Sequence, residues 1–165
     1  DEFITKYPDF LKETLKILNK AGLREKIYEA IPEALSLALK LKSLGKYLGL
    51  LSGNSRIVAK WKLNNAEIDN IFDFGLFGDE ASSRSKLANM VFKKANVYFG
   101  IKFKPQEIVV IGDTIYDIKA GKYIGAKTIA VASGKHYFID QLEIFNPDLA
   151  VKKLSESIVE NFLLK

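Results

Sequence analysis

Ile108-Val109-Val110-Ile111-Gly112-Asp113-Thr114-Ile115-Tyr116-Asp117 puts one carboxylate directly after a short apolar run and a second four residues later. The run is β-branched and continuous, as in a strand buried on both faces of a parallel sheet. A helix starting after the strand would bring the two acids together within one turn. Two carboxylates converging at a strand end, with neither histidine nor cysteine beside them, suit a hard cation such as Mg²⁺. Gly112 is read as the residue that lets the backbone turn there. The competing structural reading makes Asp113 the N-cap of the following helix and Asp117 a solvated surface acid.

Outward from this stretch, strand-like and helical segments alternate. Upstream lie a first helix opening at Tyr7-Pro8-Asp9 and closing near Gly22, a second from Pro32 to about Gly45, and a strand over 47–51. A helix over about 55–63, a strand over 72–77 and a long helix over about 85–99 follow. Downstream come a helix over 116–124, strands at 128–131 and 149–151 with a helix between them, and a last helix from Ser155. This rhythm predicts an α/β fold with a parallel sheet covered by helices on both faces. In such a sheet ligands bind beyond the carboxyl ends of the strands. The loops to inspect are therefore 52–54, 78–86, 112–114 and 133–136.

Composition narrows the chemistry. The 165 residues contain no cysteine, which excludes disulfides, thiolate metal sites and cysteine nucleophiles. The net charge is +5, but the lysines are spread along helices beside glutamates, which argues for a solvated surface and against nucleic acid. No apolar run approaches the roughly 18 residues of a membrane span, and no secretory signal opens the chain, so the reading is cytoplasmic. The chain opens at Asp1 without an initiator methionine, so it is read as a piece of something longer.

The stretch Gly112-Asp113-Thr114-Ile115-Tyr116-Asp117, continued through Ala120-Gly121 and Gly125-Ala126 to Val131-Ala132-Ser133-Gly134, resembles the fourth motif of the haloacid dehalogenase superfamily and the strand after it. Leu48-Gly49-Leu50-Leu51-Ser52-Gly53-Asn54 is similar to its second motif. The resemblance covers about residues 30–151 and implies a Rossmann-like core, a phosphoglycolate-phosphatase-like hydrolase and a small phosphorylated metabolite as substrate. By resemblance Ser52 donates to the transferring phosphoryl group, helped by amides at Gly53 and Asn54. A third-motif cation is either Arg84 or Lys86. Asp113 ligates Mg²⁺, and Asp117 belongs to the metal site by orienting the ion's waters. His136 sits on the cleft rim, and Trp61 is read as packing.

The family also uses a nucleophilic aspartate and a second aspartate two residues later, and nothing here fits that pair. Asp73, in Ile71-Phe72-Asp73-Phe74-Gly75, lacks the second acid and is rejected. Residues 1–30 are assigned to the end of a helical cap and 31–165 to a core without its first strand. Such a core would lose a central strand and present apolar edges to another chain. Three readings follow: a fragment completed by an N-terminal piece of the same protein, a non-catalytic phosphate-binding or interaction module, or a receiver-like domain, which the spacing fits poorly.

Overall fold

Short apolar runs become the strands, and each is followed by a helix. The computed structural model describes residues 2–22, 28–132, 137–154 and 156–163. In chain order the elements are α1 (Glu2–Gly22), α2 (Pro32–Ser43), β1 (Gly49–Ser52), α3 (Arg56–Asn65), β2 (Phe74–Phe77), α4 (Arg84–Phe99), β3 (Val109–Gly112), α5 (Ile115–Tyr123), β4 (Lys127–Val131), α6 (Ile139–Glu143), β5 (Leu149–Val151) and α7 (Glu156–Leu163). Gly100 ends α4 with φ +66, in the left-handed region that glycine enters without steric cost.

Among the described residues every strand pairing is parallel, but the strands fall into two sheets, β1-β2 and β3-β4-β5. The α/β expectation holds, and the sheet is split between β1 and β3. Burial follows the split. β4, bonded on both edges, is buried from Thr128 to Val131, whereas no residue of β1 or β3 is buried although both are as apolar. One face of the strands is covered by α4 and α5 through Ala88, Ala120, Val91 and Phe92, against which Leu51 and Val110 pack. Leu37 and Leu41 of α2, with Phe162 of α7, cover the other face at Val109, Ile129 and Val131.

The first helix departs from expectation. The spacing predicts a start at Tyr7, yet α1 begins at Glu2 with Pro8 inside it. Apolar residues continue upstream through Phe3 and Ile4, so the amphipathic pattern outlasts the proline. The exposed helix tolerates the hydrogen bond that Pro8 cannot make. Phe10 and Ile17 remain largely exposed on it. Trp61 packs, as its helical setting suggests: its indole N–H donates to Asn19 Oδ1 at 2.6 Å and its ring meets Tyr28 edge-on.

At the far sheet, β4 and β5 are tied at their start. Asp148 accepts from the Thr128 backbone N–H at 2.7 Å and from its hydroxyl at 2.8 Å, and Thr128 is 1% exposed. Desolvation pushes the Asp148 carboxyl up, but the Thr128 hydrogen bonds outweigh it and hold the group below its ordinary value. Its contribution is therefore present above the unfolded pKa near 3.9 and is lost as pH falls through the lower folded value. Thr128→Val should cost about 1–2 kcal/mol in urea unfolding at pH 7 and clearly less at pH 3.

Candidate phosphate-binding site

The carboxyl ends of β1 and β3 carry the residues of interest, and the helix caps decide which of them are uncommitted. The N-cap of α3 is Ser55, whose Oγ accepts from Val58 N–H, and that of α5 is Thr114, whose Oγ accepts from Asp117 N–H. So neither Ser52 nor Asp113 is spent as a cap. Ser52 Oγ accepts from Asn54 N–H and from Asn54 Nδ2, each at 3.2 Å. With both lone pairs engaged, the Ser52 hydroxyl proton is left to donate. The Asn54 amides, expected to serve a ligand, are used inside the loop; the Gly53 N–H keeps no partner among the described residues.

The loop after β2 clamps the loop after β1. Gly78 N–H donates to the Asn54 carbonyl at 2.8 Å, and a Cβ at Gly78 would lie 2.1 Å from the Gly53 carbonyl oxygen. Asp79 accepts from Arg56 N–H at 3.1 and 3.2 Å, and the Arg56 side chain pairs with Glu80 at 2.6 Å. A recess of about 200 Å³ opens between Gly53, Gly78, Ser82, Ser83 and Arg84.

Arg84 reaches across the two sheets. Its Nη2 donates to the Leu51 carbonyl at 3.2 Å and lies 2.7 Å from Asp117 Oδ1. Its Nε is buried without a hydrogen-bond partner. Lys86, the other expected cation, is exposed and bonds Ser82 Oγ at 3.4 Å. Ser83 caps α4, so Arg84 is the first residue of that helix and leans inward while Lys86 leans out.

Asp117 is 5% exposed and fully engaged. Oδ1 faces Arg84, and Oδ2 accepts from Thr114 N–H at 3.2 Å and Thr114 Oγ1 at 2.7 Å. The close fit requires Gly112: a Cβ there would lie 2.3 Å from Asp117 Cγ. Gly112 is not among the residues with positive φ, so its role is close approach, where the sequence suggests a sharp turn. Among the described residues no partner engages the Asp113 carboxylate, and none form a group of three or more acids or histidines able to hold a metal ion. Asp113 alone is an incomplete Mg²⁺ site. Asp73 lies at the opposite end of the strands, held by Lys42 at 3.0 Å and Leu48 N–H at 2.7 Å. His136 and its loop lie outside the described residues.

Residues 2–131 match the sequence profile of the haloacid dehalogenase-like hydrolases. The chain belongs to that family. Pyrophosphatase PpaX of Bacillus mycoides is 27% identical over 159 residues, which cover 94% of this chain and 66% of that protein. Glyceraldehyde 3-phosphate phosphatase of Pyrococcus furiosus is 31% identical over 111 residues, 67% of this chain and 45% of that protein. The fold is shared with a haloacid dehalogenase-like family hydrolase from Streptococcus pneumoniae, at TM-score 0.69 and 20% identity over 81% of this chain and 60% of that one. The chain thus spans 66% of the length of the PpaX relative, and its site stands within that frame.

Proposed function

We propose that the protein containing this chain is a Mg²⁺-dependent phosphatase acting on a small phosphorylated metabolite, and that this chain holds the phosphoryl-binding half of its site. The observation that carries the reading is Arg84 lying between the Leu51 carbonyl and Asp117, with a buried Nε–H that lacks an acceptor. A donor in that position calls for an acceptor, and an anionic oxygen would serve as one. The Ser52 hydroxyl and the Gly53 N–H supply further donors at the same strand end, and the amide end of α3 favours negative charge. Lys86 is a more distant cation that could neutralise charge only after its side chain turned inward.

Asp113 would be one oxygen ligand of a Mg²⁺ ion, which supplies charge neutralisation to the phosphoryl group when bound. The remaining carboxylate ligand and the attacking carboxylate would come from an N-terminal piece of the same protein. Asp117 acts here through Arg84, whose guanidinium it orients. Residues 1–30, α1 included, are read as the end of a cap and 31–165 as the core. Among the described residues no helix is long and apolar enough to cross a membrane.

The test is a p-nitrophenyl phosphate assay of the full-length gene product with Mg²⁺. Activity that falls at least about 100-fold in Asp113→Asn, and about as far in Ser52→Ala, is the expected result. A flat assay in the unmutated full-length protein would instead make the chain a non-catalytic binding module. Intact-mass analysis of the natural protein should also reveal the companion piece.

A further inference from the structure

We propose that Lys62 is a positioning residue for Ser52, acting through the side-chain amide of Asn54 to keep the Ser52 hydroxyl a donor. The inference rests on the reading above that Ser52 donates to a phosphoryl oxygen. Lys62 Nζ donates to Asn54 Oδ1 at 3.3 Å, and Asn54 Nδ2 donates to Ser52 Oγ at 3.2 Å. The three side chains form one relay that ends at the carboxyl end of β1, while Lys62 itself sits in the last turn of α3.

The direction of the relay follows from what each group can do. An ammonium donates and never accepts, so the amide atom facing Lys62 must be the oxygen. That turns Nδ2 toward Ser52. Together with the Asn54 backbone N–H, also at 3.2 Å, it occupies both lone pairs of Ser52 Oγ and leaves the hydroxyl proton for a ligand. With the amide reversed, Oδ1 would face Oγ and accept that proton itself. The site would then lose a donor.

Lys62 has little else to do. Its other neighbour is the Tyr28 ring, whose centroid lies 5.1 Å from Nζ, and Asn54 Oδ1 is its one hydrogen-bond acceptor among the described residues. Tyr28 is fixed in turn, its backbone N–H donating to Asn65 Oδ1 at 3.0 Å and its ring meeting Trp61 edge-on. An aromatic face holds a cation in place without supplying an acceptor. The ammonium is thus held where it can act on the Asn54 amide.

A competing account has Lys62 merely adding positive charge near an anion, and a double-variant cycle in the full-length gene product separates the two. With p-nitrophenyl phosphate, Lys62→Met should lower kcat about tenfold and change KM by less than about twofold. Lys62→Arg, which keeps the donors, should recover most of that loss, and Asn54→Ala should cost about as much as Lys62→Met. In the Asn54→Ala background, Lys62→Met should cost less than about twofold more. A full tenfold loss in both backgrounds would overturn the proposal, since the charge would then act without the amide. The amide also has a readout that needs no activity: in isotopically labelled protein, the Asn54 Nδ2 protons should shift and exchange faster with solvent in Lys62→Met. Unchanged Nδ2 signals would overturn the relay whichever way the assay falls. Full activity in Lys62→Met would sink this inference and leave the phosphatase reading standing. An inactive unmutated protein would sink the phosphatase reading, and the Nδ2 signals would then decide the relay alone.

Discussion

Arg84→Met should lower the stability of the chain to urea by about 3 kcal/mol, because it strands a buried carboxylate. Asp117 has a 6% exposed side chain and loses its 2.7 Å partner, keeping only the two Thr114 donors on its other oxygen. Breaking a buried pair from one side costs about 3–5 kcal/mol, and the 29% exposure of the Arg84 side chain argues for the lower end. The Leu51 carbonyl loses its donor as well. If the penalty is the orphaned charge, Arg84→Met combined with Asp117→Leu should recover most of it. A loss below about 1 kcal/mol in the single variant would mean that solvent screens the pair and that Arg84 does not hold the two sheets together.

Gly112→Ala should be nearly as damaging, at about 3 kcal/mol, although it adds one methyl group. The added carbon would lie 2.3 Å from Asp117 Cγ and 2.4 Å from both its Cβ and Oδ2. Either β3 shifts or Asp117 swings away from Arg84, so overpacking and loss of the ion pair add. For a chain of this size the melting temperature should fall by about 6–12 °C. Gly53→Ala is the internal comparison: its Cβ would meet only the flexible end of Arg84, 3.3 Å away, and should cost far less. Pairing Gly112→Ala with Asp117→Ala should give a sum below additive, since the second change removes two of the three colliding atoms and the ion pair is lost only once, although the clash with Cβ stays.

Much of the architecture was legible because glycines and apolar runs mark its strands. The segment Val110-Ile111-Gly112 reads as a strand end, and the helices after Ser52, Arg84 and Asp113 begin within a few residues of the expected positions. Start positions failed where the pattern ran past a breaker, as at Pro8. Within the site, residue types were readable but commitments were not. Nothing in Ser52-Gly53-Asn54-Ser55 reveals that Ser55 takes the cap and Asn54 turns back on Ser52. Likewise Thr114, one position beyond Asp113, caps α5 because the capping-box spacing to Asp117 begins there; a threonine three residues before an acid is a signal that could have been read. Arg84 and Lys86 differ by two positions, about 200° around a helix, so only the placement of the Ser83 cap tells which one faces inward.

Helix α2 has a mechanical consequence. Its Leu37 packs against Ile129, Val131 and Val151 of the three-stranded sheet, while its Lys42 grips Asp73 and the Ile71 carbonyl beneath the two-stranded one. The two halves are thus pinned by α2 at the amino ends of their strands, and towards the carboxyl ends by Arg84 and by the α4–α5 packing against Leu51 and Val110. A change that broke the Lys42–Asp73 pair would loosen the amino ends and leave the end where Ser52 and Asp113 stand joined through Arg84.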